Sequence, residues 1–294
     1  CVMRVLDRSA VSLDLKALGL QPYDEAALRA MTTLPHGIVL VTGPTGSGKT
    51  TTLYAMLSEA NSPDTKIITV EDPVEYDIAG IVQVPINDEI GVTYATVLRS
   101  ILRQDPDKIL VGEIRDRETG ATAVEASLTG HTVFATIHTN DAPSTVTRLV
   151  DMGVEPFLIS ATLESVVAQR LVRSVCADCR VEFEPDEDVL MELGPDADLV
   201  RGRTLSYGKG CEKCHHTGYR GRTGLFEIMT IDDEVRRLIE ANASIEELRE
   251  RAVEPLDGLE ELHRPWIDGI RVRTDSGEIA ERVTEVGDCW LDAG

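Results

Sequence analysis

The stretch HGIVLVTGPTGSGKTTTLYAMLSEAN, residues 36–61, decides the fold of this chain. It begins with a short apolar run, passes through a glycine-rich turn and continues into a segment compatible with a helix. The turn, GPTGSGKT at 43–50, fits G-x-x-x-x-G-K-[ST]. Because it stands between a strand and a helix, the context that identifies a phosphate-binding P-loop, we predict a nucleoside triphosphate site here.

The chemistry of this turn assigns roles to its residues. Backbone N–H groups can cradle phosphates, helped by the positive end of the following helix. Lys49 is expected to reach the β- and γ-phosphates, and the Thr50 hydroxyl to ligate magnesium. A glycine-rich turn without a ligand is the structural alternative, which the complete motif disfavours. The predicted nucleotide-binding residues are Gly43, Pro44, Thr45, Gly46, Ser47, Gly48, Lys49, Thr50 and Thr51.

Four apolar, β-rich runs organise the first half of the chain. They are HGIVLVT (36–42), KIITV (66–70), KILVG (108–112) and HTVFATI (131–137). Helix-compatible segments separate them, which predicts an α/β fold with a mainly parallel sheet covered on both faces. A polar cluster follows each run: GPTGSGKT, EDPVE, EIRD and HTND. Since ligands bind beyond the carboxyl ends of such strands, the four clusters predict one shared site.

Two acidic positions in these clusters are candidate catalytic residues. Glu113, in ILVGEIRD, ends a buried strand, where P-loop proteins hold a magnesium-linked acid or a base that orients water. Its structural alternative is a solvated glutamate paired with Arg115. Glu71 and Asp72 follow another strand, and their alternative is a plain acidic turn. Beside a P-loop, we interpret Glu113 and Glu71 as catalytic.

A histidine and two arginines complete the candidate set. His138 lies at the carboxyl end of its strand, where an imidazole can sense a γ-phosphate, whereas we interpret His131 as structural. In ring-shaped motors an arginine from a neighbouring subunit stabilises charge on the transferred phosphoryl group. Arg99 and Arg115 are candidates for that role, while Arg103 is interpreted as a solvated or salt-bridged side chain.

Two C-x2-C pairs, separated by 31 residues, predict a metal site. The pairs are Cys176 with Cys179 and Cys211 with Cys214. Paired knuckles of this kind favour tetrahedral zinc, and four thiolates close the coordination sphere, so the zinc would be structural. His215 and His216 could substitute as ligands, but the cysteine set is complete without them. A redox pair is the second interpretation.

Residues outside these motifs carry weaker signals. The segment EPFLISATLESVVAQRLV, 155–172, has helical character, and residues 180–209 indicate a surface loop with a short helix. The tail from about residue 225 is predicted to be mostly helical, with DDEVRRLIEANASIEELRERA its clearest part.

Composition limits the possible partners. The formal net charge is −22, and only six of the 29 basic residues are lysines. Such an excess of acid disfavours binding to nucleic acid or anionic lipid. It fits either an ordinary acidic protein or adaptation to high salt. No apolar run reaches the roughly 18 residues of a membrane span, and the first residues form no signal peptide, so we expect a soluble, cytoplasmic chain.

With these residues in view, the chain resembles the secretion ATPases that power type II secretion and type IV pilus assembly. The matching segments are GPTGSGKTTTLY, ITVEDPVEY, LRQDPDKILVGEIRD, TGHTVFATIHTNDA and the tetracysteine segment. The stretches VTRLVDMGVEPFL and YRGRTGLFEI look most like the type II secretion branch. Pilus retraction members lack the cysteine module, so its presence argues against retraction.

The resemblance implies a RecA-like P-loop NTPase core that assembles into a homo-hexameric ring and uses ATP and Mg²⁺. It also implies a position on the cytoplasmic side of the inner membrane, through the cytoplasmic domain of an inner-membrane platform protein. ATP turnover would extend a pseudopilus. Glu113 would be the Walker B acid, Glu71 and His138 would complete the catalytic group, and Arg99 and Arg115 match arginines of the family's nucleotide site.

The resemblance also divides the chain. Residues 1–30 look like the end of a missing N-terminal domain plus a linker. The predicted parts that follow are an ATPase core (31–172), a small tetracysteine zinc-binding subdomain (173–222) and a mostly helical C-terminal subdomain (223–294). Three alternatives stay open: a pilus assembly ATPase, a nucleic-acid translocating motor on the same core, and a nucleotide-controlled binding module without appreciable turnover.

Overall fold

The computed structural model describes residues 13–193, 197–252, 271–273 and 279–281. The chain divides into two compact units. The first comprises Cys1–Arg170 and Phe226–Pro255, and the second comprises Leu171–Leu225 and Leu256–Gly294. Among the helices of the described ranges, none combines the length and the apolar character that a membrane span requires.

A seven-stranded sheet positions the functional residues. Its strands are β1 (Gly37–Thr42), β2 (Ile67–Glu71), β3 (Val82–Pro85), β4 (Lys108–Val111), β5 (Thr132–Ile137), β6 (Leu163–Val175) and β9 (Tyr219–Thr230). Their order in the sheet is β3-β2-β4-β5-β1-β6-β9. The pairs β2–β3, β2–β4, β4–β5, β1–β5 and β1–β6 are all parallel. The predicted parallel α/β sheet is confirmed, and the four predicted apolar runs are β1, β2, β4 and β5.

Helices cover both faces of this sheet, which explains why every residue of β1, β2, β4 and β5 is buried. In the first unit they are α1 (Pro22–Thr32), α2 (Lys49–Ala60), α3 (Tyr94–Ile101), α4 (Arg117–Leu128), α5 (Ala142–Asp151), α6 (Pro156–Thr162), α9 (Asp233–Glu240) and α10 (Ile245–Ala252). In β1, Ile38 and Leu40 pack in the core that includes α3 to α6, α9 and α10. Val39 and Val41 pack in the core that includes α1 and α2. Alternate residues therefore face opposite layers, as the pleat of a strand requires.

The helical interpretation of residues 155–172 is wrong for most of that segment. Only Pro156–Thr162 is helical, and the chain continues as β6. Val166 packs in one core and Val167 in the other, the alternation of a strand. The segment pairs in parallel with β1, so tertiary pairing together with adjacent β-branched valines overrides its helical character.

The predicted mostly helical C-terminal subdomain over 223–294 is not confirmed. Its first residues belong to β9, and α9 and α10 contribute Val235, Ile239 and Leu248 to the core of the first unit. Further along, Arg271–Arg273 (β10) pairs with Ile279–Glu281 (β11) as an antiparallel ribbon. The other residues of 253–294 lie outside the described residues. The remaining predicted domain boundaries stay predictions.

The described residues 176–193 and 197–218, which belong to the second unit, form a small antiparallel ribbon, two short helices and a cluster of four cysteines. Its strands are β7 (Arg180–Phe183) and β8 (Leu205–Gly208), and its helices are α7 (Glu187–Leu193) and α8 (Ala197–Val200). In the ribbon Arg180 pairs with Gly208 and Phe183 with Leu205. Leu190, Ala197 and Val200 form a small core. Because few of the described residues belong to this core, burial among them contributes little stability.

Candidate functional site

The P-loop joins β1 to α2 and depends on glycine at its first position. Gly43 has φ 139°, and a Cβ placed there would lie 2.2 Å from the carbonyl oxygen of Gln169 on β6. No side chain fits that gap. Gly46 and Gly48 also have positive φ, 77° and 88°, a conformation that glycine adopts at no steric cost. Residues 43–48 form the loop, and Lys49, Thr50 and Thr51 begin α2.

Two polar side chains of the loop fit an anionic ligand. Lys49 Nζ donates to the carbonyl oxygens of Gly43, at 2.8 Å, and Pro44, at 3.1 Å. Burial lowers the pKa of Lys49, while the negative charge of Glu113 opposes that shift. The Ser47 hydroxyl is buried without a hydrogen-bond partner among the described residues. A buried unpaired hydroxyl is costly, and the first N–H groups of a helix have no partner within it, so the loop offers donors to a phosphate.

The residue expected to ligate magnesium has an acidic neighbour that the sequence interpretation does not include. The Thr50 hydroxyl donates to Glu75 Oε1 at 3.2 Å. Glu75 belongs to EDPVEY, in which the sequence motifs single out Glu71 and Asp72 alone. A carboxylate beside a threonine hydroxyl is a donor set suited to a hard cation such as Mg²⁺. The presence of a further glutamate four residues after Glu71 is the signal that could have identified Glu75.

Glu71 is buried and fully engaged by donors. Its side chain is at the end of β2, where the residue is only 4% exposed. Tyr54, on α2, donates its hydroxyl to Oε2, while Thr69 Oγ1 donates to Oε1 at 2.5 Å and Gln83 Nε2 at 3.3 Å. Burial, and then the hydrogen bond to Glu71, raises the pKa of Tyr54. This network ties α2 to β2 directly behind the P-loop.

Glu113 and His138 meet beside the P-loop. Glu113 lies two residues beyond β4, and its Oε1 is 3.1 Å from Nε2 of His138, which directly follows β5. Arg115 donates its Nε–H to Oε2 of the same carboxylate. Burial and then the charge of Lys49 lower the pKa of His138, with Glu113 opposing them. A neutral imidazole carries one N–H group, and its possible acceptors here are the Glu113 carboxylate and the Gly43 backbone.

Of the remaining sequence candidates, Arg115 contacts Glu113, whereas Arg99 and His131 pair with other residues. Arg99, on α3, pairs with Glu118 of α4 at 2.6 Å, and both side chains are exposed. Arg115 is 59% exposed although it contacts Glu113. His131 precedes β5 at the opposite edge of the sheet, where its Nδ1 is 2.9 Å from the carbonyl oxygen of Ala126.

The four cysteines of the second unit converge on one point. Their sulfurs all lie within 4.8 Å of one another. Cys176–Cys211, Cys179–Cys214 and Cys211–Cys214 are 3.9, 3.8 and 3.7 Å apart. A tetrahedral site with Zn–S bonds of about 2.3 Å sets its sulfurs about 3.8 Å apart, whereas a disulfide requires about 2.05 Å. The cluster fits zinc and contains no disulfide among these four cysteines.

Backbone donors support the cysteine cluster. The N–H groups of Cys211 and Gly218 point to Cys214 Sγ at 3.2 and 3.3 Å. Such donors stabilise a thiolate and orient the ligands around a metal. His215 and His216 are not members of the cluster, so the sequence prediction of a complete cysteine set agrees with the geometry.

A parallel sheet that presents a P-loop, a strand-end acid and a histidine at one edge defines a P-loop nucleotide-binding protein. The chain belongs to the type II/IV secretion system protein family, whose model matches residues 1–264.

Curated relatives carry two kinds of name. The type II secretion system ATPase E of Vibrio cholerae is 50% identical over 286 residues, 97% of this chain and 56% of that protein. The type II secretion system protein E of Dickeya dadantii is 53% identical over 238 residues, covering 81% and 47%. The type IV pilus assembly ATPase PilB of Myxococcus xanthus is 46% identical, covering 96% and 49%. The chain thus spans about half the length of these relatives.

A solved structure agrees with the fold. The pilus retraction motor PilT with bound ADP superposes with a TM-score of 0.59 at 28% identity, over 86% of this chain and 67% of that one. The resemblance to the secretion NTPase family that the sequence motifs indicate is confirmed.

The steric constraint at Gly43 yields a direct test of the P-loop. Changing Gly43→Ala should weaken binding of a fluorescent ATP analogue at least about 10-fold, because loss of even one charge-assisted hydrogen bond costs that much. Gly91→Ala is the matched control, since Gly91 also has positive φ, 76°, but a Cβ added there would meet no atom within 4 Å. Equal affinities for the two variants would show that the contact with Gln169 does not shape the site.

Proposed function

We propose that this chain hydrolyses ATP as part of a RecA-like, ring-forming motor that powers pseudopilus assembly and protein export in type II secretion. One observation carries the proposal: Glu113 and His138 face each other at 3.1 Å beside Lys49 of the P-loop. A module that only binds nucleotide needs the P-loop but not this pair. Relatives named as type II secretion proteins support the biological setting.

Pilus assembly is the second candidate. The PilB relative matches this chain nearly as well as the Vibrio cholerae relative does, at 46% against 50% identity over almost the whole chain. The nucleotide chemistry proposed below is the same for both. Complementation of strains that lack one or the other ATPase separates the two.

Each step of ATP hydrolysis has a candidate residue in this chain. The loop N–H groups, Ser47 and Lys49 would bind the phosphates, and Thr50 with Glu75 beside it would hold Mg²⁺, which neutralises phosphate charge when bound. Glu113 would orient the attacking water and accept its proton. His138, in contact with Glu113, would hold that carboxylate in place and sense the γ-phosphate.

Glu71 has a supporting place in this proposal. Its buried carboxylate accepts hydrogen bonds from Tyr54, four residues after Thr50 on α2, and from Thr69 on β2. A catalytic contribution of Glu71 would therefore act through the position of α2 and its phosphate-binding end. Removing one partner of such a buried network leaves a polar group without a hydrogen bond, which lowers the stability of the fold.

The two candidate arginines are exposed in the single chain and would act between subunits of a ring. Arg99 and Arg115 have 46% and 59% of their side chains exposed, so both can reach toward a neighbouring subunit. We place them as candidates for stabilising the phosphoryl group across the boundary of a homo-hexamer. The cytoplasmic domain of an inner-membrane secretion platform protein would recruit the ring, which locates it in the cytoplasm, peripheral to the inner membrane. Nucleic acid is disfavoured as a partner by the net charge of −22.

The second unit would hold one structural Zn²⁺. Four sulfur ligands at separations near 3.8 Å fill a tetrahedral shell, which leaves no position for a reacting water. The metal would stabilise this part of the chain, because the small core around Leu190 and Val200 contributes little.

Glu113→Gln tests the catalytic acid. The substitution keeps the size of the side chain but removes its charge, so ATP should still bind while turnover falls by a factor on the order of 100 or more. Phosphate release and binding of a fluorescent ATP analogue are measured on the same preparation. Glu125→Gln, on the exposed face of α4, is the matched control and should retain wild-type turnover. Full turnover by Glu113→Gln would remove the assigned role.

Assembly into a ring should make turnover depend on concentration. If arginines act across subunits, phosphate release per chain rises as the protein is concentrated, in step with the mass measured by light scattering. The Glu113→Gln protein gives the background of contaminating hydrolysis at each concentration. Constant, rapid turnover by a monomer would contradict the ring mechanism.

Removal of two ligands tests the zinc site. Wild-type protein should contain about one zinc per chain, and the Cys211→Ser, Cys214→Ser double variant almost none, since zinc binding in small modules is worth roughly 10 kcal/mol or more of folding free energy. Protease should then cut within 176–224 while nucleotide affinity changes little. The His215→Ala, His216→Ala variant is the control and should keep its zinc. Zinc retained by the cysteine variant would refute the site.

A further inference from the structure

The loop that carries His138 is fixed from the side of β1. Thr42, the last residue of β1, accepts a hydrogen bond from the backbone N–H of Thr139 at 2.8 Å. The Thr139 hydroxyl in turn lies 2.7 Å from the hydroxyls of Thr42 and of Thr145 on α5. The residue after His138 is therefore held to the strand that enters the P-loop.

The same loop is fixed on its other side by Glu227 of β9. Glu227 Oε1 accepts a hydrogen bond from the backbone N–H of Ala142, the first residue of α5, at 2.8 Å. Pro143 follows and has no N–H, and Asp141 caps the N–H of Ser144 at 2.8 Å. The two carboxylates of Glu227 and Asp141 thus satisfy the start of α5, where negative charge is stabilised by the helix dipole.

One acid and two arginines influence the ionisation of Glu227. Burial raises the pKa of Glu227; the Ala142 N–H opposes that shift, Asp141 adds to it, and Arg249 and Arg170 oppose it. Arg249, on α10, also pairs with Asp141 at 3.0 Å. Glu227 of β9 and Arg249 of α10 both lie more than 80 residues further along the chain. They contact the loop 138–142 at two consecutive residues, Ala142 and Asp141.

We propose that Glu227 is a positioning residue for His138, which anchors the loop 138–142 so that the imidazole faces Glu113. The inference rests on the proposed ATP hydrolysis. The effect of Glu227 passes through the Ala142 N–H and along the loop that joins Ala142 to His138. Arg249 assists by holding Asp141. Through these contacts β9 and α10 set the position of the γ-phosphate sensor.

A comparison of Glu227→Ala with Glu227→Gln tests the proposal. Alanine removes the acceptor, so kcat for ATP should fall about 10-fold or more, with KM little changed, because small displacements of a catalytic group cost that much. Glutamine keeps an acceptor oxygen for the Ala142 N–H and should remain within about 3-fold of wild type. In a His138→Ala background, Glu227→Ala should have almost no further effect, since coupled residues are not additive.

A second measurement does not depend on turnover. NMR of ¹³C-histidine-labelled protein, with His138 assigned from the His138→Ala spectrum, follows its titration directly. The groups facing this imidazole are Lys49, Arg115, Glu113 and the Gly43 backbone, and burial is the main cause of its lowered pKa. Release of the loop exposes the ring and moves it away from Lys49. In Glu227→Ala the pKa should therefore rise toward the ordinary value of about 6.5.

Arg249→Ala keeps the test open if Glu227→Ala fails to fold, because Arg249 is half exposed. It should raise the pKa of His138 in the same direction, whereas Glu250→Ala, its exposed neighbour on α10, should not. A wild-type His138 titration in both Glu227→Ala and Arg249→Ala, or an equal loss of kcat in the His138→Ala background, would overturn the positioning role. Absence of hydrolysis by wild-type protein at every concentration would instead overturn the proposed function, and the titration would still decide the positioning role.

Discussion

The approach of β1 to β6 is the constraint on which the site depends. Parallel pairing of these strands brings the carbonyl of Gln169 against Cα of Gly43, where a side chain would otherwise stand. The side chain of the same Gln169 accepts a buried hydrogen bond from Thr52 of α2 at 2.7 Å. One residue of β6 therefore contacts both the start of the P-loop and the helix that follows it, and the shape of the loop follows from the packing of the sheet.

Two glutamates near the P-loop come from the carboxyl ends of β2 and β4 and have different surroundings. β2 contributes an acid that is buried and held by hydroxyl and amide donors, whereas β4 contributes Glu113, which meets a histidine and an arginine. The two carboxylates differ because they are buried to different extents. A fully buried carboxylate requires several hydrogen-bond donors, while one nearer the surface can exchange its partners. The two acids therefore have different surroundings, although they have the same side chain.

The sequence predicts the elements whose signal is local. The apolar runs of β1, β2, β4 and β5, the P-loop and the cysteine spacing all lie in short segments. β3 carries little signal because Val82–Pro85 is short, partly exposed and ends in proline, and β6 is misassigned because its pairing with β1 outweighs a helical pattern. Glu75 and Glu227 are not predicted, since each acts on a residue 25 or 85 positions away, Thr50 and Ala142, a relation that no periodicity records.

The threonine hydroxyls between β1 and the histidine loop have a mechanical consequence. Thr42 belongs to the strand that leads into the P-loop, and it accepts a hydrogen bond from the N–H of Thr139, the residue that follows His138. Its short bonds to Thr139 couple the movements of the two loops. A displacement of the end of β1 would therefore also displace the residue next to His138, without any further element between the two loops.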